Sequence, residues 1–508
     1  MNLPHPHPHV PDTVRDAATH PETYGLRQWS GWILGPGCLL FTLLTAPPEG
    51  LSAAGWYTAG AALLMAVWWI TESVPIPVTA LLPLVLFPAL HLGDIRESAA
   101  PFANPIIFLF LGGFMLALAM QRWGLHRRVA LGLIGMMGTR PSRVIAGFLL
   151  ASAFVSLWVS NTATAMMMLP IALSVSQLVP ASAGKTQRSF STALLLSVAY
   201  GATAGGMGTL IGTPPNALLA AYVQKVYGIE LGFGQWMLLG LPVVALTLPA
   251  VHFVLTKVSF KLDDTEIPGM ADLIRSEKAR LGPASRGEVL VTLIFTLTAA
   301  GWVFQPLLAR HFALVTDTTI AMTGALLLFL IPANPRRGEF LMRWEDTKGL
   351  PWDVLLLFGG GLSLAGNIEK HGLARFLGDL SQALDGWPML LTLCVLTFGI
   401  LMLTELTSNT ATAATFLPIA GAIALSLGQN PLLFLIPTAL AANCSFMMPV
   451  GTPPNAIVFG SGQVTLPQMA KAGMILNLVV LPIILGLVIL LGPWIFDVRL
   501  DQIPAWAK

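Results

Sequence analysis

Long apolar runs alternate with short polar breaks through almost the whole chain, and the run lengths set the first expectation. A bilayer hydrocarbon core of about 30 Å is crossed by about 20 helical residues. By that measure residues 30–46, 51–70, 77–92, 105–120, 233–256, 288–304, 318–333, 352–368 and 474–495 each predict one membrane-crossing helix. Four further regions are apolar but interrupted. Residues 144–179 and 387–427 each hold a Ser-Asn-Thr triplet, Ser160-Asn161-Thr162 and Ser408-Asn409-Thr410. Residues 191–226 and 431–462 each hold Gly-Thr-Pro-Pro-Asn, at 212–216 and 451–455.

The two kinds of interruption predict different local structures. Residues 144–159 number 16, about 24 Å of helix, which is short for a crossing. The triplet follows, and a second apolar run leads on to 179. A re-entrant hairpin fits this order, entering and leaving on one side with its turn at the triplet. Non-helical backbone at membrane depth is tolerated only inside protein or beside a water-filled cavity. Proline removes a backbone donor and stops a helix in progress, yet it suits the first turn of a new one. Threonine before it is a favourable N-cap. Each Gly-Thr-Pro-Pro-Asn therefore predicts a helix that stops near the glycine and restarts at Thr-Pro.

The interruptions also come in matched order. Ser160 and Ser408 stand 248 residues apart, and Gly112-Gly113 and Gly360-Gly361 share that interval. Thr213 and Thr452 stand 239 apart. A Gly-Gly helix, a triplet hairpin and a broken helix thus occur twice. Paired Gly/Pro-interrupted apolar segments in two halves of a chain point to a transporter binding site. The expected fold is an all-α polytopic membrane protein of about 11 transmembrane helices plus two re-entrant hairpins. The first half spans 29–256, with hairpin 144–179 and broken helix 191–226. The second spans 287–496, with hairpin 387–427 and broken helix 431–462.

Composition narrows the class. Of 508 residues, 55% are hydrophobic and 10% charged, against about 25% charged in a soluble domain, which excludes a large soluble enzyme. A net charge of +2 leaves no footprint for nucleic acid. The cysteines Cys38, Cys394 and Cys444 lack paired spacing and read as packing residues. With the N-terminus in the cytoplasm and each hairpin returning to its own side, 20 Lys and Arg fall on the cytoplasmic side and 7 on the other, in the sense of the positive-inside rule. The first hairpin then opens inward and the second outward, so the repeats have inverted topology and the tail 497–508 lies outside. Residues 257–286 predict a cytoplasmic linker with a solvated amphipathic helix over 270–281. Residues 1–28, with alternating His and Pro, predict a disordered cytoplasmic tail. The expected location is the inner (plasma) membrane of a bacterium.

If the repeats pack about a pseudo-twofold axis, four helix starts converge. Helix N-termini favour anions. Carbonyls freed at the breaks, with Ser, Thr and Asn oxygens, suit a small hard cation such as Na⁺. No Lys or Arg falls in the hairpin arms or at the breaks, so bound Na⁺ would neutralise an anionic substrate and couple its transport to the sodium gradient. Glu405, three residues before Ser408, has Leu157 as its repeat counterpart. It is read as structural, with a coupling role as the alternative. A cation/proton antiporter of a related inverted-repeat fold would want carboxylates in both motifs, which lack them. An intramembrane enzyme would want clustered histidines, whereas His91, His126, His252, His311 and His371 lie near predicted span ends.

The two Ser-Asn-Thr triplets and two Gly-Thr-Pro-Pro-Asn breaks resemble the marks of the divalent anion/sodium symporter family, over residues 56–496. The resemblance implies a homodimer whose subunits have a scaffold domain and a mobile transport domain working by an elevator motion. By matching position it implies one Na⁺ site at Ser156, Ser160, Asn161 and Gly212, and a second at Thr404, Ser408, Asn409 and Gly451. Substrate carboxylates would meet Asn161, Thr162, Asn409, Thr410, Thr452 and Pro453. Members that exchange anions without sodium often depart from these motifs, and this chain does not. The implied activity is sodium-coupled symport of a C4-dicarboxylate such as succinate, malate or fumarate. Sulfate or citrate symport and dicarboxylate exchange are the alternatives. No cofactor is implied beyond Na⁺ as coupling ion.

Overall fold

The computed structural model describes residues 24–179, 185–262, 265–312, 314–380, 386–498 and 503–507. Most of the expected N-terminal tail therefore lies outside the described residues. Helices α1 (Leu26–Leu44) and α2 (Ala53–Thr71) pack along one another. The single span expected over 77–92 is instead two short helices, α3 (Ile76–Ala80) and α4 (Pro83–Ala89). Pro83 has no N–H to continue the first, so a second starts there. After α5 (Ile95–Ala99) come α6 (Pro105–Arg122), whose first turn is capped by the Asn104 side chain, and α7 (Leu125–Met137).

The first interrupted regions form α8 (Pro141–Ser156), α9 (Asn161–Ser176), α10 (Lys185–Gly206) and α11 (Pro214–Tyr227). Next come α12 (Phe233–Phe253), α13 (Met270–Leu281), α14 (Arg286–Val303), α15 (Gln305–Ala309) and α16 (Asp317–Leu330). A two-stranded antiparallel hairpin, β1 (Pro332–Asn334) with β2 (Glu339–Phe340), was not anticipated. The second half continues with α17 (Trp352–Lys370), α18 (Leu373–Leu380), α19 (Met389–Thr404), α20 (Asn409–Ser426), α21 (Pro431–Asn443), α22 (Pro453–Gly460) and α23 (Leu466–Phe496). Among the described residues, 6 helical segments are long and apolar enough to cross a membrane, and the hairpin arms α8, α9 and α19 are shorter.

The core lies on the two broken helices. Every residue of α21 is buried, and α10 is buried from Phe190 to Gly206. A helix apolar all round belongs in an interior. Peripheral helices instead turn large apolar side chains outward: Leu26, Ile33 and Leu44 on α1, Leu297 on α14, Leu490 and Trp494 on α23. Such a surface suits lipid. The halves interlock around the core. Hairpin arm α9 packs on α22 of the other half, and α20 packs on α11.

The amphipathic helix expected over 270–281 has those bounds as α13, but it is docked rather than wholly solvated. Glu277 on it is buried and pairs with Arg127 of α7 at 2.6 Å and with Arg280 at 2.7 Å. Arg128 of α7 forms a two-pronged pair with Glu288 of α14, and the Ile267 N–H donates to Thr139 O at 3.1 Å. The segment joining the halves is thus held against α7.

Candidate functional site

In the first half, α8 ends at Ser156 and α9 starts after Ser160, whose hydroxyl accepts from the Ala163 N–H at 3.3 Å. Ser156 Oγ donates to Asn161 Oδ1 at 2.5 Å, across the turn. The broken helix approaches from behind. A Cβ on Gly206 would sit 2.7 Å from Asn161 Oδ1 and 2.4 Å from the Thr213 methyl, and a Cβ on Gly212 would sit 2.4 Å from Gly206 O. Ser156, Asn161 and Gly212 therefore meet around bare backbone where a side chain has no room. Thr209 closes the loop, its hydroxyl donating to Leu157 O at 2.5 Å and accepting from the Gly212 N–H at 3.0 Å.

The second half repeats this geometry. Thr404 Oγ1 lies 2.7 Å from Asn409 Oδ1 and 2.8 Å from Ala442 O, both acceptors for its one proton. Asn409 Nδ2 donates to Asn443 O at 3.3 Å, tying the hairpin tip to the end of α21. Gly451 lies against the same cluster, since a Cβ there would meet Glu405 O at 3.0 Å and overlap Ser445 Oγ.

Two residues that the sequence reading left without a role prove central. Asn216 Nδ2 donates to Thr209 O at 2.8 Å and lies 3.2 Å from Gly206 O, while Asn455 Nδ2 lies 3.0 Å from Met448 O and 3.1 Å from Ser445 O. In both halves the bonded carbonyls stand 7 and 10 residues upstream. Both asparagines are fully buried. Each one staples its own break, holding open the loop that carries the motif glycine. The signal was present in the duplication: the last residue of Gly-Thr-Pro-Pro-Asn is retained in both copies. Replacing Asn216 by alanine leaves buried carbonyls unpaired and should lower stability by about 3 kcal/mol. That would be read as a lower thermal midpoint of the purified protein, and an unchanged midpoint would refute the staple.

The breaks also touch each other. Asn443 Nδ2 donates to Asn216 Oδ1 at 2.8 Å, and Cys444 Sγ lies 3.5 Å from Met207 Sδ. Two matched oxygen clusters are thus joined through the loops of two broken helices in the core of an apolar helical protein. A family model described as the sodium:sulfate symporter transmembrane region matches residues 28–498.

The chain belongs to the sodium:sulfate symporter family. It is 43% identical over 494 residues to the sodium-dependent dicarboxylate transporter SdcS of Staphylococcus saprophyticus, covering 95% of this chain and 94% of that protein. It is 42% identical over 484 residues to SdcS of Staphylococcus aureus, covering 94% and 93%. Among solved structures it is similar to MtrF of Neisseria gonorrhoeae, described with a class of antimetabolite efflux pumps. That likeness has a TM-score of 0.55 at 10% identity, covers 97% of this chain and 100% of that one, and is a likeness of fold alone.

As a member of the sodium:sulfate symporter family the protein is a transporter and not an enzyme. Ser160 and Pro453 are exposed, and Thr162, Ser408 and Thr410 are half-buried in or beside the first turns of α9 and α20. Ser408 gives its helix no side-chain cap. Thr452 is buried, and its hydroxyl accepts from the Asn455 N–H at 3.4 Å, as expected of an N-cap. Thr213 does not cap its helix. Its methyl faces Gly206, and its hydroxyl oxygen is buried without a partner among the described residues. The capping expected of both threonines thus holds in one copy. The clusters offer uncharged oxygens from carbonyl, hydroxyl and amide groups, a donor set that suits a small hard cation. Beside them, the first turns of α9 and α20 carry free N–H groups that favour an anion, whereas α11 and α22 each open on two prolines, which have none.

Proposed function

We propose that the protein is a sodium-coupled symporter of a C4-dicarboxylate such as succinate, malate or fumarate. The observation that carries this reading is the matched pair of bonds, Ser156 to Asn161 and Thr404 to Asn409, each beside a glycine loop whose bare backbone comes close to the cluster. Ser156, Ser160, Asn161 and Gly212 form the first Na⁺ site, and Thr404, Ser408, Asn409 and Gly451 the second. Asn161, Thr162, Asn409, Thr410, Thr452 and Pro453 receive the substrate carboxylates between them. Bound Na⁺ offsets the dianion where no Lys or Arg stands in the hairpin arms, so substrate binds well only after sodium. The dicarboxylate assignment over sulfate is supported by relatives at 42% and 43% identity that are named for dicarboxylates.

The two halves are read as inverted repeats, with the N-terminus in the cytoplasm of a bacterial inner membrane and the C-terminus outside. Hairpins and broken helices form the transport domain, which moves as an elevator against a scaffold in a homodimer. Labelled succinate uptake into proteoliposomes tests the coupling. Uptake should require an inward Na⁺ gradient. Equal uptake without sodium would remove the symport claim, and accumulation of sulfate in place of succinate would reassign the substrate.

A further inference from the structure

Glu405 follows Thr404 directly at the end of α19, and it is only 3% exposed. Five donors surround its carboxylate. Oε1 accepts from the Phe446 N–H at 2.9 Å and from Asn477 Nδ2 at 2.7 Å. Oε2 accepts from Ser445 Oγ at 3.0 Å, the Met447 N–H at 2.9 Å and the Met448 N–H at 3.1 Å. Three successive backbone N–H groups converging on one anion make a nest. An ionised carboxylate only accepts, whereas a protonated one must also donate, so five converging donors select the charged form. All five partners are neutral, and none cancels the charge.

The segment that Glu405 holds is the break between α21 and α22. It runs from Asn443, whose carbonyl binds Asn409, to Gly451, which lies against Glu405 O. The first half has no such anion. Leu157 stands at the matching position, and its side chain abuts Gly208, where a Cβ would meet Leu157 Cδ2 at 2.4 Å. There the loop is closed by the neutral Thr209 hydroxyl. Two clusters with the same oxygen donors thus differ by one buried negative charge.

We infer that Glu405 is a positioning residue that makes the two sodium sites unequal, giving the second site the higher affinity and filling it first as sodium rises. The inference rests on the two-site reading proposed above. It follows from Coulomb attraction in a poorly screened interior, where a fixed anion favours a nearby cation far more than in water. It also follows from the hold on residues 445–448, which sets the loop carrying Gly451 before sodium arrives.

Glu405→Gln tests the role of the charge with little change of shape. The amide oxygen can take the three donors of Oε2. Asn477 can turn so that its unpartnered Oδ1 meets the new NH₂ group, which leaves only the Phe446 N–H without its acceptor. The sodium concentration for half-maximal succinate uptake should rise about tenfold or more, with the succinate KM at saturating sodium unchanged within about twofold. A purely structural role would not separate those two parameters, and a sodium curve superimposable on wild type would overturn the inference. A second comparison decides the matter even if Glu405→Gln does not fold. Ser156→Ala leaves the second site intact and Thr404→Ala leaves the first. Thermal stabilisation by NaCl should reach its midpoint at lower sodium in Ser156→Ala, and equal or reversed midpoints would overturn the ranking. Sodium-independent uptake by the unaltered protein would instead remove the two-site reading itself.

Discussion

Asn409→Ala abolishes sodium-driven succinate uptake while leaving a folded, monodisperse protein. Asn409 does two things at once in the structure: its Oδ1 lies 2.7 Å from the Thr404 hydroxyl, and its Nδ2 donates to Asn443 O. One side chain therefore joins the hairpin tip to the broken helix. The residue is half-buried, so its truncation opens the tip to water and leaves no sealed void. The loss of fold stability is correspondingly modest, about 1 kcal/mol. A lost oxygen ligand to a charged group is worth about 1.5–3 kcal/mol, or about 10- to 100-fold in sodium affinity, and the misplaced Thr404 adds to it. Asn161→Ala should behave alike, since Asn161 makes the matching bond to Ser156. Uptake in proteoliposomes and gel filtration of each variant provide the measurements. More than half of wild-type uptake in both variants would return the Ser-Asn-Thr triplets to helix capping alone.

The second large effect is expected at the motif glycines, and its severity should differ between the halves. A Cβ on Gly212 would sit 2.4 Å from Gly206 O and 2.9 Å from Gly206 Cα. Both are backbone atoms of the buried end of α10, with no flexible group to yield, so Gly212→Ala must push the break apart. That displaces the loop from Asn161, and uptake should fall to background. At Gly451 the overlapping atom is Ser445 Oγ. That hydroxyl can rotate away at the loss of its bond to Glu405, worth about 1.5–3 kcal/mol for a charged acceptor. Gly451→Ala should therefore retain measurable uptake, with a raised sodium requirement. The ordering is the test. Equal activity in the two variants, or a more active Gly212→Ala, would show that the close approach at Gly206 is not what the first site depends on.

Much of this was legible along the chain because the signals are local. The length of an apolar run is read directly against the thickness of a bilayer, and proline stops a helix through its own ring and missing N–H. The breaks at 157–160 and 405–408 fall at the triplets, and the restarts after 213 and 452 at the Thr-Pro pairs. The broken helices, however, stop at Gly206 and Asn443, well before the motif glycines Gly212 and Gly451 where the stops were expected. The double proline pattern around α3 and α4 was equally local, but the apolar run masked it, and one expected span became two short helices.

The sequence by itself determined that the chain is an apolar helical protein interrupted twice in each of two matched halves, and which polar residues stand at each interruption. It did so because helix length, helix termination and internal duplication depend on neighbours in the chain or on a fixed interval. Only the tertiary structure decided what those residues hold. The Asn443–Asn216 bond joins positions 227 apart, and the Glu405–Asn477 bond joins a hairpin tip to the last long helix. Thr213 and Thr452 share a motif, yet one turns its methyl to Gly206 and the other caps its helix. Identical local sequences diverge there because residue 206 is glycine in one half, while its counterpart in the other, Ser445, is a hydroxyl bound to a buried carboxylate. Which atoms meet at that depth is set by the packing of four helices at once, and no single stretch of the chain encodes it.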